Sequence, residues 1–231
     1  MQPSTIEKSL LIIKNWHLDN RAFQLSEMND NTYGYTSPEG IFNRDEVPVA
    51  LCPSYATSID VTGKSEIIDT TSKDSDCKRF ASLVLTMVKK DHPSKRNKPK
   101  PLIIFKASKF SKGEDWNKTE QEKWHPDVVV CFQENAWLDS TVNKYWIDEV
   151  MKPINDWLLE KNIKGVNYED NLSSHKTSSC LRHFQNQLTA FSEPRFYPPK
   201  FTFCMQPVDR HEGKKYQVAT HAETRATLRE K

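Results

Sequence analysis

The sequence predicts an α/β fold in which a mixed β-sheet is flanked by helices. Short runs of branched and aromatic apolar residues at 80–88 and 102–106 are typical of buried strands. Apolar residues at helical spacing recur in the segments around these runs. Strands alternating with helices favour a layered α/β domain. The 231 residues fit one domain of ordinary size with a terminal piece.

The first predicted elements are a helix over residues 4–28 and a strand over 41–51. Ser4 and Glu7 have the spacing of a capping box at the start of the helix. The strand carries Asp45, and Pro48 is incompatible with its continuing as a regular central strand. The apolar residues that recur along the helix at helical intervals are Ile6, Leu10, Ile13 and Trp16.

A polar, loop-like stretch at 52–78 precedes the two apolar strands at 80–88 and 102–106. A further strand and then a helix are predicted after them. Residues 128–132 form the next strand candidate. Asp139 is placed to cap a helix that runs towards Glu160, and Pro153 should kink or split that helix. The apolar face of this helix is expected to contain Val142, Trp146 and Val150.

The last third of the chain predicts one more strand and further helices. Residues 166–170 form a strand candidate that ends at an aspartate. Ser173 or Ser174 is expected to cap the helix that follows. Residues 210–231 have the mixed charge of a helical tail. The inner face of the helix after the strand is expected to contain Leu181, Phe184 and Leu188.

Composition excludes several classes of protein. The five cysteines are scattered and odd in number, which suits a reducing compartment rather than a disulfide scaffold. With six glycines and no Gly-rich loop, a P-loop or dinucleotide fold is excluded. The N-terminus has no signal-peptide pattern, and no apolar run is long enough to span a membrane. The net charge of +2 alone does not establish a nucleic-acid partner.

One basic segment, 89–100, leaves three interpretations open. Half of its residues are Lys or Arg. A solvated loop is the plainest interpretation. The alternatives are a contact to the DNA backbone and a nuclear-import signal, since residues 95–98 resemble a short basic import motif.

Three further stretches, 41–48, 168–175 and 197–209, each contain an aspartate: Asp45, Asp170 and Asp209. Taken in this order, they resemble the catalytic core of the DDE superfamily endonucleases of pogo- and jerky-type transposases. The resemblance extends from about residue 34 to about residue 213. The other segments that resemble the same family are 78–86, 101–106 and 130–139.

The resemblance implies an RNase H-like α/β domain over residues 34–213, preceded by a helical extension at 1–33 and followed by a helical tail at 214–231. It places Asp45 on the first strand, Asp170 at the end of the fourth and Asp209 at the start of a later helix. Family members usually also have an N-terminal helix-turn-helix region, for which residues 1–33 are too short. The chain therefore resembles the catalytic domain alone.

The resemblance also implies a metal site and a reaction. Asp45, Asp170 and Asp209 would hold Mg²⁺ or Mn²⁺, as two ions, because these hard cations prefer carboxylate oxygens. Two ions can assist both the attacking and the leaving oxygen of a phosphodiester. Asn171 and His175 are expected to orient the second carboxylate or approach the phosphate. Glu46 and Gln206 are expected to flank the site.

The expected partner is DNA, the expected location is the nucleus, and no membrane is expected. The chain is expected to form a homo-oligomer or to bind a second protein that supplies a DNA-binding domain. The alternative is a domesticated, catalytically inactive module that binds nucleic acid or chromatin, and a decayed copy is a third interpretation. A zinc site and a Cys–His nucleophile have little support from spacing. The tryptophans fit a core better than base stacking. The candidate zinc ligands are His175, Cys180, His183, Cys204 and His211, and the tryptophans are Trp116, Trp124, Trp137, Trp146 and Trp157.

Overall fold

The computed structural model describes residues 5–28, 37–50, 79–106, 121–199, 201 and 205–207. The strands are β1 Ile41–Ala50, β2 Arg79–Val88, β3 Leu102–Lys106, β4 Val129–Gln133, β5 Val166–Glu169 and β6 Arg195–Phe196. The helices are α1 Thr5–Met28, α2 Ser140–Trp146, α3 Lys152–Glu160 and α4 Ser178–Gln187. The predicted α/β fold, with a mixed sheet and flanking helices, is confirmed. The predicted loop at 52–78 and tail at 210–231 lie outside the described residues.

The strand directions determine which loops share an edge of the sheet. The strand order is β4-β3-β2-β1-β5-β6. The pairs β1–β2 and β2–β3 are antiparallel, whereas β3–β4, β1–β5 and β5–β6 are parallel. Every described strand except β2 therefore runs in the same direction. The carboxyl ends of β1, β5 and β6 lie towards one edge, and the connection from β2 to β3 lies at the opposite edge.

One face of the sheet, here called the core face, carries Phe42, Val84 and Ile104, and it packs against α2, α3 and α4. Trp146 and Trp157 are fully buried in this layer, as predicted for core tryptophans. Trp124 and Trp137 are instead 37% and 49% exposed, which contradicts their predicted core position. Both lie in the connecting segments before and after β4 rather than on a packed helix face. Trp116 lies outside the described residues.

The predicted cap and break in the central helix are both confirmed. The carboxylate of Asp139 accepts hydrogen bonds from the backbone N–H groups of Thr141 and Val142, at 2.9 Å each. A π-helical turn at Ile147–Met151 separates α2 from α3. Pro153 lies in the first turn of α3, directly after this π-helical turn, and helix distortions of this kind are typical at proline.

The opposite face of the sheet, here called the outer face, carries Asn43 and Tyr168 and contacts α1. Trp16 of α1 donates its indole N–H to the carbonyl oxygen of Phe196 at 3.0 Å. Of the apolar residues that recur along α1, Leu10 is 60% exposed, whereas Ile13 and Trp16 are half-buried. Asn20 is buried at the same face of the helix. None of the helices in the described ranges is long and apolar enough to cross a membrane.

Strand β1 accommodates Pro48 because it is central over only part of its length. Its pairing with β5 ends at Arg44, and from Asp45 onward its described partner is β2 alone. Pro48 therefore lies in a stretch with one strand neighbour, as it would in an edge strand. A register shift follows between Val49 and Ala50.

Candidate functional site

The parallel pairing of β1 with β5 brings two of the predicted site residues together. Its register runs from Ile41 opposite Val166 to Arg44 opposite Glu169. Asp45 and Asp170 each come one residue after the last of these pairs. Because paired strands lie about 4.8 Å apart, the chain leaves this pairing at neighbouring positions just before the two aspartates. The third predicted residue, Asp209, lies outside the described residues.

The position of Asp170 in the strand order differs from the one that the resemblance implies. Asp170 follows β5, the fifth described strand, rather than the fourth. The additional strand is β4, which pairs with β3 at the far edge of the sheet. It leaves the adjacency of β1 and β5 unchanged.

Asp45 lies on the outer face, and Glu46 turns to the core face. Asp45 Oδ1 accepts a hydrogen bond from the backbone N–H of Glu46 at 2.8 Å. Burial raises the pKa of the Tyr197 hydroxyl, and the nearby charges of Tyr168 and Asp45 raise it further. The Glu46 carboxylate accepts from the backbone N–H of Leu138 at 3.4 Å. The expectation that Glu46 flanks the two aspartates is therefore wrong, since successive side chains of a strand point to opposite faces.

Glu169 precedes Asp170 and is neutralised within the core face. Its Oε2 forms an ion pair with Arg44, and its Oε1 accepts from Asn167 Nδ2 at 2.6 Å. Arg44 also donates to Asn143 Oδ1, and its Cζ lies 3.9 Å from the ring centroid of Trp146. Buried charges of this kind require a partner, and here each has one. Sequence reasoning missed Arg44, because its partner is 125 positions away.

His175 lies between the two acidic residues at the end of β5. Its Nδ1 is 3.1 Å from Asp170 Oδ1 and 3.3 Å from Glu169 Oε2, without the geometry of a hydrogen bond to either. Its side chain is 4% exposed, against 19% for that of Asp170. The imidazole therefore limits where the Asp170 carboxylate can move. Asn171 is half-buried and directly follows Asp170.

Gln206 connects the C-terminal segment to β1. Its Nε2 donates to the carbonyl oxygen of Arg44 at 2.7 Å, and the residue is fully buried. Among the described residues, its Oε1 has no hydrogen-bond partner. A buried amide oxygen that accepts no hydrogen bond is costly unless something else satisfies it.

These residues offer the type of ligand that Mg²⁺ and Mn²⁺ prefer. Asp45 and Asp170 supply carboxylate oxygens, and Gln206 supplies a buried carbonyl oxygen close to β1. Within residues 5–28, 37–50, 79–106, 121–199, 201 and 205–207, no group of three His, Cys, Asp or Glu side chains is arranged to hold a metal ion. The described residues thus fit a divalent cation in chemistry, and they supply two of the three predicted carboxylates.

The alternative sites gain no support from the described side chains. His183 contacts Asp148 at 2.8 Å, and the buried thiol of Cys180 lies 3.5 Å from the carbonyl oxygen of Ser140. Burial, followed by the charge of Asp139, raises the pKa of the Cys131 thiol to about 12, which makes it a poor nucleophile. Cys204 and His211 lie outside the described residues.

The basic segment at 89–100 forms a hydrogen-bonded turn at the edge of the sheet opposite to Asp170. Arg96 pairs with both carboxylate oxygens of Glu160, at 2.6 and 2.9 Å, and Lys90 pairs with Glu39 at 2.8 Å. Asn97, fully buried, accepts from the backbone N–H of His92 and donates to two backbone carbonyls. These contacts favour the loop interpretation for residues 90–97.

Comparisons with protein-family models, with curated proteins and with solved structures found no match. Function is therefore inferred from the residues and geometry of this chain. Together, the fold and the site define an α/β protein in which Asp45 and Asp170 each follow the last residue pair between the parallel strands β1 and β5. His175 contacts Asp170. The buried ion pair of Arg44 and Glu169 comes one residue before the two aspartates.

Proposed function

We propose that the chain is a DDE-type endonuclease domain that cleaves and joins DNA by metal-assisted phosphoryl transfer. The observation that carries the proposal is the parallel register of β1 and β5, which ends one residue before Asp45 and Asp170. The pairing of β1 with β5 brings two aspartates that are far apart in sequence to neighbouring positions. Paired carboxylates on a rigid sheet are a good platform for divalent cations.

The proposal assigns the metal-binding role to Asp45, Asp170 and Asp209. Bound Mg²⁺ or Mn²⁺ ions would activate the attacking oxygen and stabilise the leaving oxygen of the phosphodiester. Gln206 lies shortly before Asp209 in sequence and is anchored on Arg44. That contact supports the assignment, because it holds the chain leading to Asp209 beside the strand that carries Asp45.

The surrounding residues determine which carboxylates are available. Arg44 neutralises Glu169, so the proposal excludes Glu169 from the metal ligands. His175 contacts Asp170 Oδ1 and restricts its position, which is the role of a positioning residue.

A second candidate function is a catalytically inactive module that binds DNA or chromatin. It stays a candidate because a fold that resembles an enzyme does not by itself imply catalysis. Such a module would bind DNA with a steep dependence on salt, as an active enzyme would, so salt dependence does not separate the two. Metal-dependent cleavage does.

The experiment is a plasmid-nicking assay with Mg²⁺ or Mn²⁺. We expect the native chain to nick supercoiled DNA, and we expect Asp45→Asn and Asp170→Asn to lower the rate by more than about 100-fold, since each removes a ligand. The matched control is Asp127→Asn, whose side chain is 81% exposed in a turn away from the site. Equal nicking by Asp170→Asn and the native chain would contradict the proposal. Lack of nicking by the folded native chain would favour the inactive module.

A further inference from the structure

We propose that a cavity lined by the residues two positions before Asp45 and Asp170 holds an unstacked nucleobase of the DNA strand whose phosphate lies at the carboxylates. The cavity has a volume of about 780 Å³ and lies between α1 and the outer face of the sheet. This volume is within the usual range for small-molecule sites. The inference deepens the proposed function and rests on it for the position of the phosphate.

The walls of the cavity have the chemistry that a nucleobase needs. Aromatic rings come from α1, from β5 and from the segment after β6, and the side chains are Trp16, His17, Tyr168 and Tyr197. The rings of Trp16 and Tyr197 stack on each other, with their centroids 5.0 Å apart, so a base would stack on the side of this pair that faces the cavity. Aromatic side chains bind bases by stacking, whatever the base. Asn43, also in the wall, places a side-chain amide among these rings.

The position of the cavity relative to the carboxylates selects DNA over other flat ligands. Asn43 lines the cavity, and Asp45 follows two residues later on the same face of β1. Tyr168 lines the cavity, and Asp170 follows two residues later in the chain. Two strand residues span about 7 Å, so a phosphate at the carboxylates and its own base in the cavity are separated by a distance that one nucleotide covers.

The rim adds a positive charge at the far end of the cavity. Lys89, exposed and placed at the end of β2, lines the cavity at the edge opposite to Asp170. An ammonium group there suits a neighbouring phosphate of the same strand. A strand that enters at Lys89 and passes towards Asp45 would therefore meet a cation, then aromatic rings, then carboxylates.

The test compares the binding of two metal-free probes by fluorescence anisotropy. One is an oligothymidylate, and the other is an abasic strand of the same length and charge. We expect the native chain to bind the strand with bases on the order of tenfold more tightly, because stacking of a base is lost in the abasic strand. His17→Ala removes an exposed cavity ring from a helix surface, and we expect it to lower this ratio.

The matched control is His125→Ala, which removes another exposed histidine, one that does not line the cavity, and should leave the ratio unchanged. Trp16→Ala should lower the ratio further, with Trp137→Ala as its control and circular dichroism as the check on folding. Equal binding of the two strands, binding of neither, or a ratio that His17→Ala leaves unchanged would overturn the proposal. So would binding of thymidine monophosphate as tight as that of the oligothymidylate, which would assign the cavity to a free nucleotide.

This test needs no metal and no cleavage, so its outcome is independent of the nicking assay. A chain that nicks DNA but binds both strands equally would retain the proposed function and lose the nucleobase site. A chain that distinguishes the two strands but neither binds metal nor nicks DNA would retain a base-binding cavity and lose the endonuclease.

Discussion

Glu169 and Asp170 are neighbours in the chain and carry the same chemical group, yet their exposure and their contacts differ. The side chain of Glu169 is 4% exposed, and it contacts Arg44 and Asn167 on the core face. The side chain of Asp170 is 19% exposed, and its described neighbour is His175. Glu169 forms the buried ion pair with Arg44, whereas Asp170 lies beyond the last strand pair, and His175 Nδ1 lies 3.3 Å and 3.1 Å from the two carboxylates. The comparison shows that the partner of an acid, rather than its type of side chain, determines which of two adjacent acids is available to a ligand.

The largest expected effect is on stability, and it follows from removing the ion-pair partner of Glu169. Arg44→Met leaves the buried Glu169 carboxylate without its ion-pair partner. We expect a loss of about 3–5 kcal/mol in the free energy of unfolding, because an uncompensated buried charge is strongly destabilising. Urea unfolding followed by circular dichroism measures this loss.

The double variant Arg44→Met with Glu169→Leu is the matched control, since it removes both charges together. We expect it to recover most of the lost stability, because apolar replacements of a buried ion pair are often neutral or stabilising. A double variant as unstable as Arg44→Met would contradict the view that Glu169 is the charge that Arg44 neutralises.

A smaller effect is expected at Glu39, an acid whose partner lies at the surface. A hydrogen bond from Lys90, with help from its own backbone N–H and from Ser37, lowers the pKa of Glu39 from 4.5 to about 2. Its stabilising contribution is therefore complete above pH 4.5 and is lost as the pH falls towards about 2.

Because Lys90 is largely exposed, we expect Glu39→Gln to lower the free energy of unfolding at neutral pH by less than about 1 kcal/mol. The gap between variant and native chain should narrow when urea unfolding is repeated at about pH 3. A gap that is the same at both pH values would show that the Glu39 charge does not contribute.

Local patterns predicted the parts of the fold that depend on local physics. The branched apolar runs became β2 and β3, Asp139 became an N-cap, and Pro153 marks the break in the central helix. The helix after β5 shows where local reasoning failed. Its cap is Thr177, rather than Ser173 or Ser174, because those serines belong to a 3₁₀ turn at Ser173–Lys176. The Thr177 hydroxyl accepts from the backbone N–H of Cys180 at 3.2 Å.

The candidate site depends on contacts between distant parts of the chain, and these were less predictable. The resemblance identified Asp45 and Asp170, and their adjacency follows from the parallel register. The ion pair of Arg44 and Glu169 joins residues on different strands, and neither flanking sequence has a pattern that pairs them. The exposure of Leu10 on α1 has the same origin, since the inner face of this helix is set by contacts such as that of Trp16 with Phe196.

The central claim is that Asp170 binds a divalent cation whereas its neighbour Glu169 does not. The most direct test is a Mn²⁺ titration by calorimetry of the native chain, Asp170→Asn and the control Asp127→Asn. We predict binding to the native chain and the control, and loss of binding in an Asp170→Asn variant that remains as stable as the native chain. Binding that survives in Asp170→Asn, or no binding to the folded native chain, would contradict the claim.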